Sequence, residues 1–345
     1  MSYRARLKSV LKRGALIAAA NWPVTLIQAI ADTVFKVVIA VPIVGGVFLV
    51  ALVLGTEPVA LMSLEWRDMA ATTVAALLSH PVVLTAFLLA LGVVGVGGSL
   101  LVFLVKAGTV AVLVKSEREA EAIEDPPLHI ETLVRAARFS TDLFIASSAR
   151  LFLRYARLGL MLMAVYGASA ATYFGLVMAS RSAGESWGVT ALFTAAFVTW
   201  ITIVNLLYLL TQIVIAADDC SVAAAAPRVI AFLRHERGMV VRAFLVILAL
   251  VVGATGASFV AAALLSLIAF VPLVGLAVLP LQLLAWMLRA LVFQYIGLTS
   301  VGAYVKLYRT FAGQLAEGRL KPTPAYSGIV RADGSVMGAD FGRSA

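Results

Sequence analysis

The chain has 345 residues, of which 62% are hydrophobic and only 13% charged, with a formal net charge of +9. That composition excludes an ordinary soluble domain, which carries about twice the charge fraction, and makes a bilayer the natural solvent. A single cysteine, Cys220, excludes an intramolecular disulfide and any multi-cysteine metal site, and no aromatic-and-basic nucleic-acid module accompanies the positive charge.

The N-terminal segment carries Arg4, Arg6, Lys8, Lys12 and Arg13. It leads into an apolar run interrupted by Asn21, Trp22, Pro23 and Asp32, so it reads as mature chain rather than as a cleavable signal. Tyr3, Leu7, Val10 and Leu11 recur at helical spacing opposite Lys8 and Lys12, the pattern of a basic amphipathic helix. Apolar runs at 33–55, 82–106, 157–180, 189–215, 240–270 and 273–305 follow. Each is long enough to cross a hydrocarbon core of about 30 Å at about 1.5 Å per residue.

The connections alternate in charge. Loop 56–81 has one basic residue, Arg67, whereas 107–156 includes Lys115, Arg118, Arg135, Arg138, Arg150 and Arg154. Loop 181–188 has only Arg181, 216–239 has Arg228, Arg234 and Arg237, and the turn at Val271-Pro272 has none. Lys306, Arg309, Arg319 and Lys321 follow the last run. The positive-inside rule then places both termini in the cytoplasm. In a bacterial cell that means a multi-pass protein of the plasma membrane.

Two further basic amphipathic helices are predicted. In 131–154, Leu133, Ala137, Phe144 and Leu151 oppose Arg135, Arg138 and Asp142. In 221–237, Val229, Phe232 and Leu233 oppose Arg228, Arg234 and Arg237. The expected fold is thus all-α, a polytopic membrane bundle of six transmembrane helices. They form three units, each an amphipathic helix followed by a hairpin. A single membrane domain over 1–317 is followed by a disordered cytoplasmic tail, 318–345. The acidic stretch Glu117–Pro127 reads as a solvated linker. The expected partners are the lipid bilayer and its anionic headgroups, with no cofactor and no nucleic acid.

Ionisable groups inside spans are costly, so each is a candidate for function. Arg289 is the clearest. It is placed in the inner leaflet, where it either extends to the headgroups or contacts an anion, a lipid headgroup or a neighbouring helix. Trp286, Arg289 and Phe293 share one helical face. Asn205 falls at a similar depth and is expected to meet Arg289 or to serve as an interhelical hydrogen-bond partner, as are Gln212, Gln282 and Gln294. Asp32 and Lys36, four residues apart, read as an ion pair at the inner end of the first span. They complete a candidate polar inner-leaflet site of Arg289, Asn205, Lys36 and Asp32.

Asp218 and Asp219 read as capping groups for the following helix. Gly92, Gly95, Gly97 and Gly98 with Ser99 form a small-residue packing face. Trp66 and Trp187 are expected at the outer boundary, and Tyr304 and Tyr308 at the inner one. His80, His129 and His235 lack metal-ligand spacing, so neither a helical metal site nor a His-centred nucleophile is expected.

The stretch Pro280–Phe311, with Trp286, Arg289, Tyr295, Gly302, Tyr304 and its Leu307-Tyr308-Arg309 ending, resembles the last span of a bacterial group. That group comprises the YciC-like proteins and the membrane domains fused to glycerophosphodiester phosphodiesterases. The repeated helix-then-hairpin pattern is similar to theirs as well. The resemblance implies a polytopic fold in the bacterial plasma membrane. It implies no hydrolase activity, because no soluble phosphodiesterase domain is present in this sequence. The functional expectation is a non-enzymatic membrane protein that supports lipid or envelope processes. The alternative is a transporter of a small or lipidic substrate, resting on Lys36, Asn205 and Arg289.

Overall fold

A computed structural model describes residues 3–55, 65–121, 130–182, 187–269 and 274–317, with isolated positions between them. The tail 318–345, His129 and Pro272 lie outside the described residues. The fold is all-α. In chain order the helices are α1 (Tyr3–Ala20), α2 (Trp22–Leu54), α3 (Trp66–Ser79), α4 (Pro81–Glu119), α5 (Ile130–Ala136), α6 (Thr141–Ser182), α7 (Trp187–Asp218), α8 (Val222–Ala269) and α9 (Val274–Ala316). Six of them, α2, α4 and α6 to α9, are long and apolar enough to cross a membrane. The chain is a polytopic membrane helical bundle.

Three of the six long helices, α4, α6 and α7, overrun both ends of the apolar runs; α2 and α8 overrun only the N-terminal end and α9 only the C-terminal end. The span expected at 33–55 begins at Trp22, immediately after a one-residue break at Asn21. Pro23 sits in the first turn of α2, where a missing N–H costs no helical bond. The amphipathic segment 221–237 is continuous with its span in α8, with non-helical angles at Glu236 marking the joint. The segment 131–154 divides. Its first part is α5 and its second is the first turns of α6. Ser140 makes the division by capping α6, its Oγ accepting from the Leu143 N–H at 3.2 Å.

The chain packs as two compact units, Met1–Gln28 with Lys106–Ala345, and Ala29–Val105. The second has its own apolar cluster of Val47, Val50, Ala51, Ala76 and Leu77. Its glycines act singly. The Phe87 ring occupies the space a Cβ at Gly46 would take, and the Phe35 ring does the same at Gly98. Gly92, Gly95 and Gly97 have nothing within 4 Å of a Cβ, so the expected stripe reduces to one packed position.

In the first unit, burial concentrates where α1, the last turns of α4 and the first turns of α6 meet the end of α7, the start of α8 and the end of α9. Tyr155, Tyr304, Tyr308, Phe232, Ile17 and Leu113 are fully enclosed there. Tyr304 and Tyr308 are therefore core residues rather than interface anchors: α1 covers this end of α9. Tyr308 packs edge-on against Phe232 and donates to Asp218 Oδ2 at 2.5 Å. The α1–α9 crossing depends on missing side chains. A Cβ on Gly14 would lie 2.5 Å from the Thr299 carbonyl oxygen, and one on Gly302 would lie 3.0 Å from the Gly14 Cα. Two glycines facing each other let the backbones approach this closely.

Candidate functional site: a groove between two membrane helices

The cavity that combines membrane position with a charge lies between α8 and α9. It occupies about 550 Å³. Ala254, Ala257, Ser258, Ala261 and Ala262 form one wall, and Gln282, Ala285, Trp286, Leu288, Arg289 and Val292 the other. The sequence produces the groove directly. Residues three and four apart share a helical face, so α8 presents a stripe of small side chains there. The opposing large residues of α9 then stand away from the α8 backbone instead of interlocking with it. The walls are mainly apolar, with Ser258, Ser266, Gln282 and Arg289 as the polar exceptions.

Arg289 lies fifteen residues after the start of α9, about 22 Å along the helix. Its guanidinium stands 5.6 Å from the Phe293 ring centre and has no ion pair or hydrogen bond to another described residue. Arg289 is exposed on α9, and on a membrane helix an exposed cation without a carboxylate is costly unless an anion, a headgroup or water meets it. Trp286, on the same face, lines the groove beside it.

The structure does not bring Arg289 and Asn205 together. The Asn205 amide oxygen accepts from the Tyr166 hydroxyl at 2.5 Å, and its nitrogen donates to the Ile201 carbonyl at 3.0 Å. It belongs to a polar ladder down the α6–α7 hairpin, with Trp200 donating to Ser169 at 2.9 Å and Tyr173 bonded to Thr194 at 2.9 Å. Interhelical bonds of this kind contribute on the order of 0.6 kcal/mol each in membranes. Lys36 and Asp32 form an exposed i,i+4 ion pair at 2.6 Å in the smaller unit.

Sequence reasoning missed the polar network that fastens the first unit. Arg13 is 4% exposed. Its guanidinium donates to Glu117 Oε2 and Glu124 Oε2, both at 2.6 Å, and to the carbonyls of Ala120 at 2.8 Å and Glu121 at 2.7 Å. Arg309 donates to the Glu117 carbonyl at 2.7 Å, and Lys12 to the Glu124 carbonyl at 2.7 Å. These cations meet the negative dipole end of α4, Arg309 on the orphan Glu117 carbonyl of its last turn and Arg13 and Lys12 on the carbonyls of the chain just beyond it. Burial by itself would lower the Arg13 pKa, but the Glu117 and Glu124 carboxylates outweigh it and hold the pKa above its ordinary value. Glu117 and Glu124 are thus fastening groups and not parts of a solvated linker.

The second knot is the α7–α8 turn. Asp218 accepts from Arg228 at 2.8 Å, and Asp219 accepts from Arg150 at 3.4 Å and from Arg154. Arg118 donates to the Ala217 carbonyl at the end of α7. Asp219 has a left-handed φ of 48°, which a short polar side chain tolerates after a helix end. The pair does not cap α8: the Ser221 hydroxyl takes that place, accepting from the Ala224 N–H at 3.3 Å. Arg228, expected on the polar face of its helix, is buried against Asp218.

Asn21, which the sequence marks only as an interruption, is fully buried. Its oxygen accepts the backbone N–H groups of Arg138 at 2.9 Å and Phe139 at 3.1 Å. Its nitrogen donates to Ile17, Ser116 and Ala136. One side chain therefore holds both the α1–α2 break and the α5–α6 break. The only advance signal was a polar residue followed by Trp22-Pro23 within an apolar stretch.

Among the described residues no three His, Cys, Asp or Glu side chains gather to hold a metal ion. No family model, curated protein or solved structure matches the chain.

Proposed function

We propose that this chain is a non-enzymatic integral membrane protein that supports lipid or envelope processes by holding a lipid in the α8–α9 groove. In this reading it resides in the bacterial plasma membrane with both termini cytoplasmic. The observation that carries it is Arg289, an arginine with no carboxylate partner among the described residues, in a mainly apolar groove between two spans. An acyl chain matches the alanine wall, and a phosphate matches a guanidinium as a bidentate acceptor. The stripe of alanines also provides a smooth surface on which a flexible chain loses little by packing.

The test is lipid retained by the purified protein. Mass spectrometry of the intact protein released from mixed bilayers should show an anionic lipid bound to the wild type. Arg289→Gln should reduce its occupancy about tenfold, the loss of one charge-assisted contact worth about 1.4 kcal/mol. Equal retention of anionic and zwitterionic lipid, unaffected by Arg289→Gln, overturns the reading.

A transporter of a lipidic substrate is the second reading. The depth of Arg289, well inside the span, favours it. Acceleration of labelled lipid movement between leaflets of reconstituted vesicles, abolished by Arg289→Gln, would select it over passive lipid holding.

A further inference from the structure

A second groove lies at the α1 end of the same α8–α9 seam. It encloses about 490 Å³ and is lined by Arg4, Leu7, Lys8, Leu11, Lys12 and Ala15 of α1 together with Leu250 and Thr299. Leu250 is one helical turn before Ala254, and Thr299 two turns after Val292, so each continues a wall of the Arg289 groove. The seam thus carries cations at two levels.

Two of the three cations of this groove, Arg4 and Lys8, differ from the arginines that pair with carboxylates in this unit; the third, Lys12, donates to the Glu124 carbonyl. Arg6, Arg13, Arg135, Arg138, Arg150, Arg154 and Arg228 each reach a carboxylate. Arg4 and Lys8 are exposed, one turn apart on one face, and have no ion pair or hydrogen bond to another described residue. Between them and the seam lie Leu7, Leu11 and Leu250, an apolar floor under a basic rim.

Thr299 lines the groove at its α9 wall and is 8% exposed, but its hydroxyl oxygen is sealed from the surface, as is that of Thr25 in α2, so Thr299 contributes to the groove through its apolar atoms.

We infer that the α1 groove is a second site for an anionic phospholipid. The phosphate lies on Arg4 and Lys8, and an acyl chain lies over Leu7, Leu11 and Leu250 toward the Arg289 groove. The inference rests on the lipid reading of the seam but uses different residues. The occupant is a lipid and not a soluble phosphate, because the floor is apolar and Leu250 belongs to a membrane helix.

The experiment uses the full chain in nanodiscs of zwitterionic phospholipid containing a minor fraction of phosphatidylglycerol. Bound phosphatidylglycerol is counted by mass spectrometry of the intact protein. The wild type should retain two molecules. Arg4→Gln with Lys8→Gln should lose one, its apparent affinity falling about thirtyfold, about fivefold for each surface cation. Arg289→Gln should empty the other site and leave this one filled. If Arg4→Gln with Lys8→Gln leaves both molecules bound, the α1 site is refuted while the Arg289 site stands. If Arg289→Gln changes nothing but the α1 variants do, the function proposed above fails and this site survives. Displacement by millimolar glycerol phosphate refutes the assignment of a lipid. Both α1 substitutions replace exposed groups without an ion pair to another described residue, and unchanged helicity and thermal midpoint confirm that folding is intact.

Discussion

Asn21→Leu tests whether one buried amide sets the α1–α2 and α5–α6 breaks. Two backbone N–H groups converge on one side-chain atom, so that atom is the amide oxygen and the orientation is determined by its partners. Leucine has nearly the same volume and removes the acceptor. The carbonyls facing the nitrogen lose less: Ser116 Oγ still donates to Ala136 at 2.5 Å, and the Ile17 carbonyl keeps the Asn21 backbone N–H at 3.1 Å. The main cost is therefore two buried N–H groups left unsatisfied, about 1–3 kcal/mol each, or about 2–6 kcal/mol together. Unfolding in detergent, followed by helicity, measures it. Limited trypsin digestion should also show faster cleavage at Arg138 as the α5–α6 break loosens. Asn21→Asp keeps an acceptor for both N–H groups but points a carboxyl oxygen at carbonyls, so it should not restore full stability. An Asn21→Leu protein within about 0.5 kcal/mol of the wild type, inside the usual range for neutral surface changes, would refute the assignment.

Arg13→Leu should cost about 3 kcal/mol, the low end for breaking a buried pair, because Glu117 loses its hydrogen-bonded cation at 2.6 Å and keeps only Lys306 at 3.9 Å and Arg309 at 4.0 Å; Arg13→Lys should recover only part, since an ammonium cannot reproduce the forked contacts, and denaturant titration compares the two. Gly14→Val should cost at least about 1–3 kcal/mol by driving the added side chain into the Thr299 and Ala303 backbone, and protease sensitivity of α1 should rise with it. Cys220 should label slowly: burial pushes its thiol up to about 11, so at pH 8 maleimide should react roughly two orders of magnitude more slowly than with an unperturbed cysteine. Tyr166→Phe should lower stability by about 0.5–1.5 kcal/mol through loss of the bond to Asn205, with no effect on lipid bound in the α8–α9 groove.

The fold class and the order of the elements were legible in the sequence because they depend on local, one-dimensional quantities. An apolar run of about twenty residues must become a helix in lipid, since no water is available to satisfy its backbone. Hydropathy alone therefore predicted the six long helices, and helical spacing placed Trp286, Arg289 and Phe293 on one face. Partner choice was different. Arg13, Arg228, Glu117 and Glu124 carry the same local signature as surface charges, and only the folded chain brings carboxylates from α4 and α7 against arginines from α1 and α8. Equal depth suggested that Arg289 meets Asn205, but depth does not specify azimuth. The rotation of α7 about its axis turns Asn205 to Tyr166, while the small-residue face of α8 opens a groove in front of Arg289. Asn21 shows the limit most plainly: its five contacts come from α1, α4, α5 and the segment after α5, more than a hundred residues away along the chain for the two N–H groups it accepts. A period along one helix records which face is apolar; which polar groups meet across helices is decided by tertiary packing, because those contacts depend on the position and rotation of several helices at once.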